Sequence, residues 1–341
     1  MSIDVLEPVV RPRRRRRRYR LRRLIPVAVV VLLAFAGGFY VGARGSGPTA
    51  QASASGPQAE AAPAAAAAKP ATASTPKTKP LPPVARLLHG PPALAGRLSA
   101  PIAAASAIVV DADTGQVLWT KSAHTRRPIA STTKIMTALL AMRVLKPKTL
   151  VRVDPSVTRV PLVREGLRAN EIVPSWKLFD AMLLYSGNDD ALALAIAAGG
   201  TRRAFLKEMN AEAKRLHLRD THFTSPSGVI DKGNYSTAYD LAALARYALR
   251  NPRFAKIVRT KVVHVKWAAP TYSKIYINNN SLLKTYPGAN GVKTGFTHKA
   301  GWCLVSSATR HGRTLIAVVL NSGDMYKDSK KLLDLGFRNP A

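Results

Sequence analysis

Apolar and polar positions divide the chain into three zones. Leu24–Val41 is an apolar run, and the uncharged stretch continues through Ala43. About 20 such residues cross a bilayer as a helix. Residues 45–100 are rich in Ala, Pro, Ser, Thr and Gly. Too few large apolar residues occur there to bury a core, so the segment reads as a disordered, extended tether. Its less polar end, Leu81–Leu98, is suited to pack on a neighbouring domain. From residue 101 onward the pattern is that of a packed domain.

Within 101–341 the periodicity predicts strands at both ends and helices between. Ala107–Val110 and Gln116–Thr120 are short apolar runs joined by Asp111–Gly115, a hairpin signal. A long helix is expected from about Ser131, with Ile135, Met136, Leu139, Leu140 and Val144 on its buried side. Further helices are expected over Pro174–Tyr185, Asp189–Ala198, Thr201–Leu216 and Thr237–Leu249. Strands follow over Lys261–Val265, Gly291–Thr294, Gly301–Ala308 and Thr314–Leu320, with a last helix near Tyr326–Leu335. This order predicts an α+β fold, an antiparallel sheet with flanking helices plus a helical subdomain.

Charge refines the picture at the N-terminus. The formal net charge is +33 over 341 residues. Residues 1–44 hold eleven arginines against Asp4 and Glu7, residues 45–100 hold five Lys and Arg against Glu60, and the remaining +20 lies on residues 101–341. Arginines crowd the N-terminal flank of the apolar run, and Arg44 stands alone on the other. The positive-inside rule then predicts a basic cytoplasmic tail over 1–23, a single-pass anchor over 24–43, a linker over 44–100 and an extracytoplasmic domain over 101–341. The alternative is a secretory signal cleaved after Ala50–Gln51–Ala52. A basic domain favours anionic partners, and wall polymers are a candidate. No RNA-binding aromatic motif or zinc-ligand spacing accompanies the charge, so nucleic acid is not expected. The single cysteine, Cys303, lies in an apolar run and reads as a small buried strand residue.

Three short strings in the domain carry candidate chemistry. The first is Ser131–Thr132–Thr133–Lys134, an SxxK. Two other SxxK strings occur: Ser74–Lys77 has Pro76 inside it, and Ser281–Lys284 leaves no room for a further motif before Lys293. Ser131 precedes a periodic helix, which puts Lys134 one turn on and on the same face. A desolvated lysine can serve as the base for a serine nucleophile. The second string, Ser186–Gly187–Asn188, falls between two apolar helices. There Ser186 can relay a proton and Asn188 can bond a substrate amide. The third is Lys293–Thr294–Gly295, in a strand. Lys293 offers a cation for a carboxylate and Thr294 a hydroxyl. Gly295 lets a substrate lie along the strand, and the Phe296 N–H can share an oxyanion hole with that of Ser131. Read singly, each string has a bland alternative: a helix cap, a turn, a hairpin end. Their order within one domain points to acyl transfer.

On these residues the chain resembles the low-molecular-mass penicillin-binding proteins of the D-alanyl-D-alanine carboxypeptidase type. The resemblance runs from about Ala105 to the C-terminus. It is carried by Ala130–Ala138, Ser186–Ala191 and Gly291–Thr297, with Phe223–Gly228 and Asn234–Ala238 as further family-like blocks. It implies a β-lactamase/transpeptidase-like fold and a Ser131 acyl-enzyme. Lys134 is then the base, Ser186 a proton relay and Lys293 the carboxylate anchor. It implies peptidoglycan stem peptides as substrate, β-lactams as covalent inhibitors, and neither metal nor organic cofactor. Several members of the family carry a C-terminal β-rich domain and a membrane-binding tail, whereas here the expected anchor is N-terminal.

Three rival readings remain at this point. A class A β-lactamase is similar in SxxK and KTG but has Ser-Asp-Asn where this chain has Gly187, and the look-alike Glu165 to Asn170 precedes Ser186. A DD-endopeptidase uses the same residues on a longer leaving group. A non-catalytic wall-binding protein would leave the complete residue set without a use.

Overall fold

The computed structural model describes residues 87–98, 101–161, 163–229, 232–267 and 273–339. The expected basic tail, the span over 24–43 and most of the linker lie outside the described residues. Among the described residues no helix is long and apolar enough to cross a membrane.

Five antiparallel strands form the main sheet: β1 (Ser106–Asp111), β2 (Val117–Lys121), β7 (Ala289–Thr297), β8 (Gly301–Arg310) and β9 (Arg313–Ser322). Their spatial order is β2-β1-β9-β8-β7. The N-terminal hairpin and the three C-terminal strands thus meet through the β1–β9 pair, with Ile108 opposite Val318. The strands read as continuous apolar runs because both faces are covered. Ile108, Val110, Ile316 and Val318 enter the core shared with the helices. Ala107, Val109, Leu315 and Ala317 enter a second core beneath the last helix, α8 (Met325–Arg338), which supplies Leu332, Leu333 and Leu335. β7 is an edge strand, and its free edge borders the candidate site.

Between β2 and β7 lie α1 (Lys134–Val144), α2 (Ser175–Asp180), α3 (Asn188–Gly199), α4 (Arg202–Arg215), α5 (Ala238–Leu249), α6 (Pro252–Val258) and α7 (Leu282–Thr285). Two small hairpins accompany them: β3 (Leu150–Arg152) with β4 (Ile172–Pro174), and β5 (Val262–Val265) with β6 (Lys274–Ile277). The chain therefore has the expected α+β fold with a helical subdomain.

The structure departs from the periodicity in three places. The first helix becomes α-helical only at Lys134, after a 3-10 turn over Ala130–Thr133. It is buried on every side from Lys134 to Ala141, whereas Val144 is only half-buried. This helix is enclosed by α3, α4 and α5, so an amphipathic stripe is a poor description of it. The helix expected over Pro174–Tyr185 breaks into α2 and a π turn over Ala181–Tyr185, where Ser186 N and Gly187 N both donate to Ala181 O, at 2.9 and 3.3 Å. Such turns recur at functional sites, since the extra residue re-aims the chain. The third departure is a set of short elements, α6, α7 and the β5–β6 hairpin's second strand, too brief for a periodic signal.

Residues 87–98 lie along β2. Ala93 N and Leu94 N donate to Val117 O and Leu118 O at 3.1 and 2.6 Å, and Leu87, Leu88 and Leu94 are buried. Arg246 of α5 holds this segment by donating to Leu87 O at 2.8 Å.

Candidate active site

Ser131 lies in the 3-10 turn that precedes α1. Ala130 has a positive φ of 47°, a conformation that costs a non-glycine residue on the order of 1 kcal/mol. The surroundings hold the turn in place. Thr132 Oγ1 donates to Ile129 O at 2.7 Å. Gly228, with φ +79°, packs so tightly that a Cβ there would lie 1.9 Å from Ala130 O. Asn234 Nδ2 donates to Thr133 Oγ1 at 3.0 Å. On the other side stands β7, where a Cβ on Gly295 would lie 3.0 Å from Ser131 N. Gly295 thus permits the close approach of the strand to the Ser131 turn.

Lys134 is fully buried at the start of α1. Its Nζ donates to Ser131 Oγ at 2.9 Å, Asn188 Oδ1 at 2.7 Å and Ser227 O at 3.1 Å. Burial holds this lysine well below its usual range and the nearby Lys293 pushes the same way, while Asp190 and Asp189 oppose the shift. A lowered pKa provides a neutral amine, with a lone pair able to take the serine proton. Lys293, on β7, is itself buried and lowered by desolvation to about 7. Lys293 thus adds to the burial that disfavours the charged form of Lys134.

The Ser186–Asn188 loop supplies the third side. Ser186 adopts a left-handed conformation, φ +79°, at the end of the π turn. Asn188 starts α3, and its amide is engaged at both ends: Oδ1 accepts from Lys134, and Nδ2 donates to Pro161 O at 3.2 Å. Asp189 pins the loop from behind, accepting from Glu165 N, Gly166 N and Leu167 N at 2.8, 2.8 and 3.2 Å. Asp190 is wholly buried, and burial together with Asp189 and Glu165 raises its carboxyl well above the usual range. That carboxyl covers Gly187, where a Cβ would meet Asp190 Oδ2 at 1.9 Å. An aspartate like that of the class A lactamase motif has no room at residue 187. Glu165 forms a buried ion pair with Lys274 behind the loop.

Thr294 is nearly buried on β7, whereas the Phe296 side chain is exposed and stacks on Trp302, with ring centroids 4.3 Å apart. Thus Ser131, Lys134, Asn188 and the Lys293–Phe296 strand segment come together. Ser186, nearly buried at the end of the π turn, stands two residues before Asn188.

Sequence reading assigned no role to three contributors. The Ser227 carbonyl accepts from Lys134, the Pro226 carbonyl accepts from Thr137 Oγ1 at 2.6 Å, and Asn234 braces the Ser131 turn. Their blocks stood out only by resemblance, because two act through backbone carbonyls, which leave no side-chain signature, and Asn234 reaches Thr133 from 101 residues away. Cys303 is buried in β8, and burial raises its thiol to about 11, which leaves it inert at neutral pH.

Comparison with known proteins agrees with this geometry. Residues 95–324 match the family model Peptidase_S11, D-alanyl-D-alanine carboxypeptidase. A D-alanyl-D-alanine carboxypeptidase of Streptomyces sp. (strain K15) is 36% identical over 69% of this chain and 88% of its own length. The carboxypeptidase DacF of Bacillus subtilis is 35% identical over 69% of this chain, a match that spans 62% of DacF. The solved structure of the Streptomyces K15 DD-transpeptidase superposes with a TM-score of 0.66 at 36% identity, covering 70% of this chain and 99% of that one. The chain belongs to the D-alanyl-D-alanine carboxypeptidase family of penicillin-binding serine enzymes.

Proposed function

We propose that the chain removes the terminal D-Ala from peptidoglycan stem pentapeptides through a Ser131 acyl-enzyme. The observation that carries this reading is the contact between Ser131 Oγ and a buried Lys134 amine whose proton affinity is depressed. Neutral Lys134 takes the proton of Ser131 as Oγ attacks the penultimate D-Ala carbonyl. The developing oxyanion is held by the backbone N–H groups of Ser131 and Phe296. Collapse of the tetrahedral intermediate breaks the peptide bond. The departing amine receives a proton from Lys134 through Ser186, and D-Ala leaves with its carboxylate released from Lys293 and Thr294. Water then attacks the ester, giving up its proton to Lys134, and the tetrapeptide is freed with Ser131 restored.

Asn188 serves this cycle by keeping the Lys134 amine aimed at Ser131. β-Lactams would acylate Ser131 and persist as esters. The span read at 24–43 supports a single-pass anchor, with the N-terminus inside and the domain outside the cytoplasmic membrane. Wall polyanions are candidate partners for its basic surface.

The test is mass spectrometry of stem pentapeptides incubated with the wild-type chain and with Ser131→Ala. Loss of one alanine by the wild type alone is the expected result. An unchanged pentapeptide with the wild type overturns the reading.

A further inference from the structure

Two large aromatic rings stand at the end of β7, beside the Ser131 turn, and belong to neither core. Phe296 is 43% exposed and Trp302 is 45% exposed. They are partners across the β7–β8 ladder, and their rings lie 4.3 Å apart at 36°. His298 meets the Phe296 ring edge-on, with centroids 5.8 Å apart. Single exposed apolar residues are ordinary on a protein surface. A stacked pair on the strand that borders the site calls for a contact.

Gly295 fixes where the pair sits. A Cβ on Gly295 would lie 3.0 Å from Ser131 N, so this strand position faces the Ser131 turn. Successive strand residues point to opposite faces, and Phe296 therefore turns to the other face, one residue from the site. β7 is an edge strand. A peptide that lies along its free edge as an added strand carries its side chains alternately to the two faces. Those on the Phe296 face come within reach of the ring, because same-face neighbours on paired strands stand about 4.5–5.5 Å apart. The order of residues gives the direction. Lys293, read above as the anchor of the departing carboxylate, comes before Gly295, and Phe296 comes after it. The rings then flank the acyl-donor side of the scissile bond.

We propose that Phe296 and Trp302 form an aromatic contact for the acyl donor, favouring substrates and β-lactams that carry an apolar or aromatic substituent on the acyl side. This rests on the Ser131 acyl-enzyme reading above and names its acyl-side preference. The rings meet a substituent remote from the reacting atoms. They act on discrimination among acyl donors and leave bond making to Ser131 and Lys134.

The experiment measures acylation rate constants of the full chain with two compounds. Benzylpenicillin carries a phenylacetyl group on its acyl side, and 6-aminopenicillanic acid has the same ring system without that group. The ratio of the two rates is expected to fall about 3- to 10-fold in Trp302→Ala and to be largely kept in Trp302→Phe. A merely structural role, exerted through the Phe296 backbone, slows both compounds alike. An unchanged ratio in Trp302→Ala therefore overturns the proposal, as does a wild-type ratio near one. Trp302→Thr, which removes the ring and keeps strand propensity, carries the test if Trp302→Ala does not fold. Failure of the carboxypeptidase reading looks different: the ratio falls as expected while the wild type leaves stem pentapeptide intact.

Discussion

Lys134 Nζ and Asn188 Oδ1 lie 2.7 Å apart, joining the first turn of α1 to the first turn of α3 across 54 residues of sequence. The bond makes Asn188 an orienting partner of Lys134, the proposed base, as well as a candidate substrate contact. It also explains why the motif needs an amide. Asn188 Oδ1 accepts from the lysine without adding a negative charge, and a carboxylate there would raise the lysine's proton affinity.

Asn188→Ala should therefore lower the penicillin acylation rate by about 10- to 100-fold, the loss expected when a buried amine loses one partner. Asn188→Asp should move the acidic limb of the acylation pH profile upward, because more base is needed to free Lys134 of its proton. Stopped-flow acylation across pH 5–9 reads both effects; an unshifted limb in Asn188→Asp would show that the residue does not address Lys134.

Lys293 yields a prediction with a sign. Its folded pKa of about 7 lies below the unfolded value near 10.5. Between those values the unfolded chain binds the extra proton, so this group's contribution makes stability rise with pH across that window. Below about pH 7 its full penalty is present. Lys293→Met removes the buried cation at similar volume. It should raise Tm at pH 6 and do so less at pH 9, while abolishing pentapeptide turnover. Calorimetry at the two pH values checks this. With Lys293 as the proposed carboxylate anchor, KM for the pentapeptide should climb above about pH 7 in the wild type.

Gly295→Ala tests the approach of β7 to the nucleophile turn. The new Cβ would be 3.0 Å from Ser131 N and 3.1 Å from Ala130 Cβ. Relief requires the strand or the turn to shift by a few tenths of an ångström, which misplaces the Phe296 and Ser131 amides. Acylation should fall about 100-fold, with a stability loss of about 1–3 kcal/mol. A variant with unchanged acylation would show that these amides tolerate displacement. Gly228→Ala is harsher, since its Cβ would overlap Ala130 O and its φ is +79°. It should fail to accumulate as folded protein in a solubility assay.

Asp189→Ala removes the acceptor of three amides in residues 165–167. Leaving these donors unpaired, those of Glu165 and Leu167 in the interior, should cost about 2–4 kcal/mol, with increased proteolysis near Arg164. Limited trypsin digestion beside a denaturant titration separates this local loosening from global unfolding.

The motif strings, the central helix after Ser131 and the apolar strands were legible because each depends on neighbours in sequence. A lysine three residues after a serine shares its face on a helical turn, and an apolar run of strand length announces a buried strand. The 3-10 turn at Ala130–Thr133 and the π turn at Ala181–Tyr185 were not legible. The first is pressed by the distant glycines Gly228 and Gly295, and the second has its Leu184 and Tyr185 carbonyls taken by Asn279, nearly a hundred residues on.

The sequence by itself therefore determined the reaction class, through three strings whose residue types each suit one part of acyl transfer, and the α+β layout, through its order of strands and helices. Only the tertiary structure decided what surrounds those residues. It buried Lys134 beside Lys293, turned Asn188 toward the base and made Gly295 the contact surface for Ser131. Proton affinity and close backbone approach depend on desolvation and on contacts between segments some fifty or more residues apart, and a linear pattern carries neither.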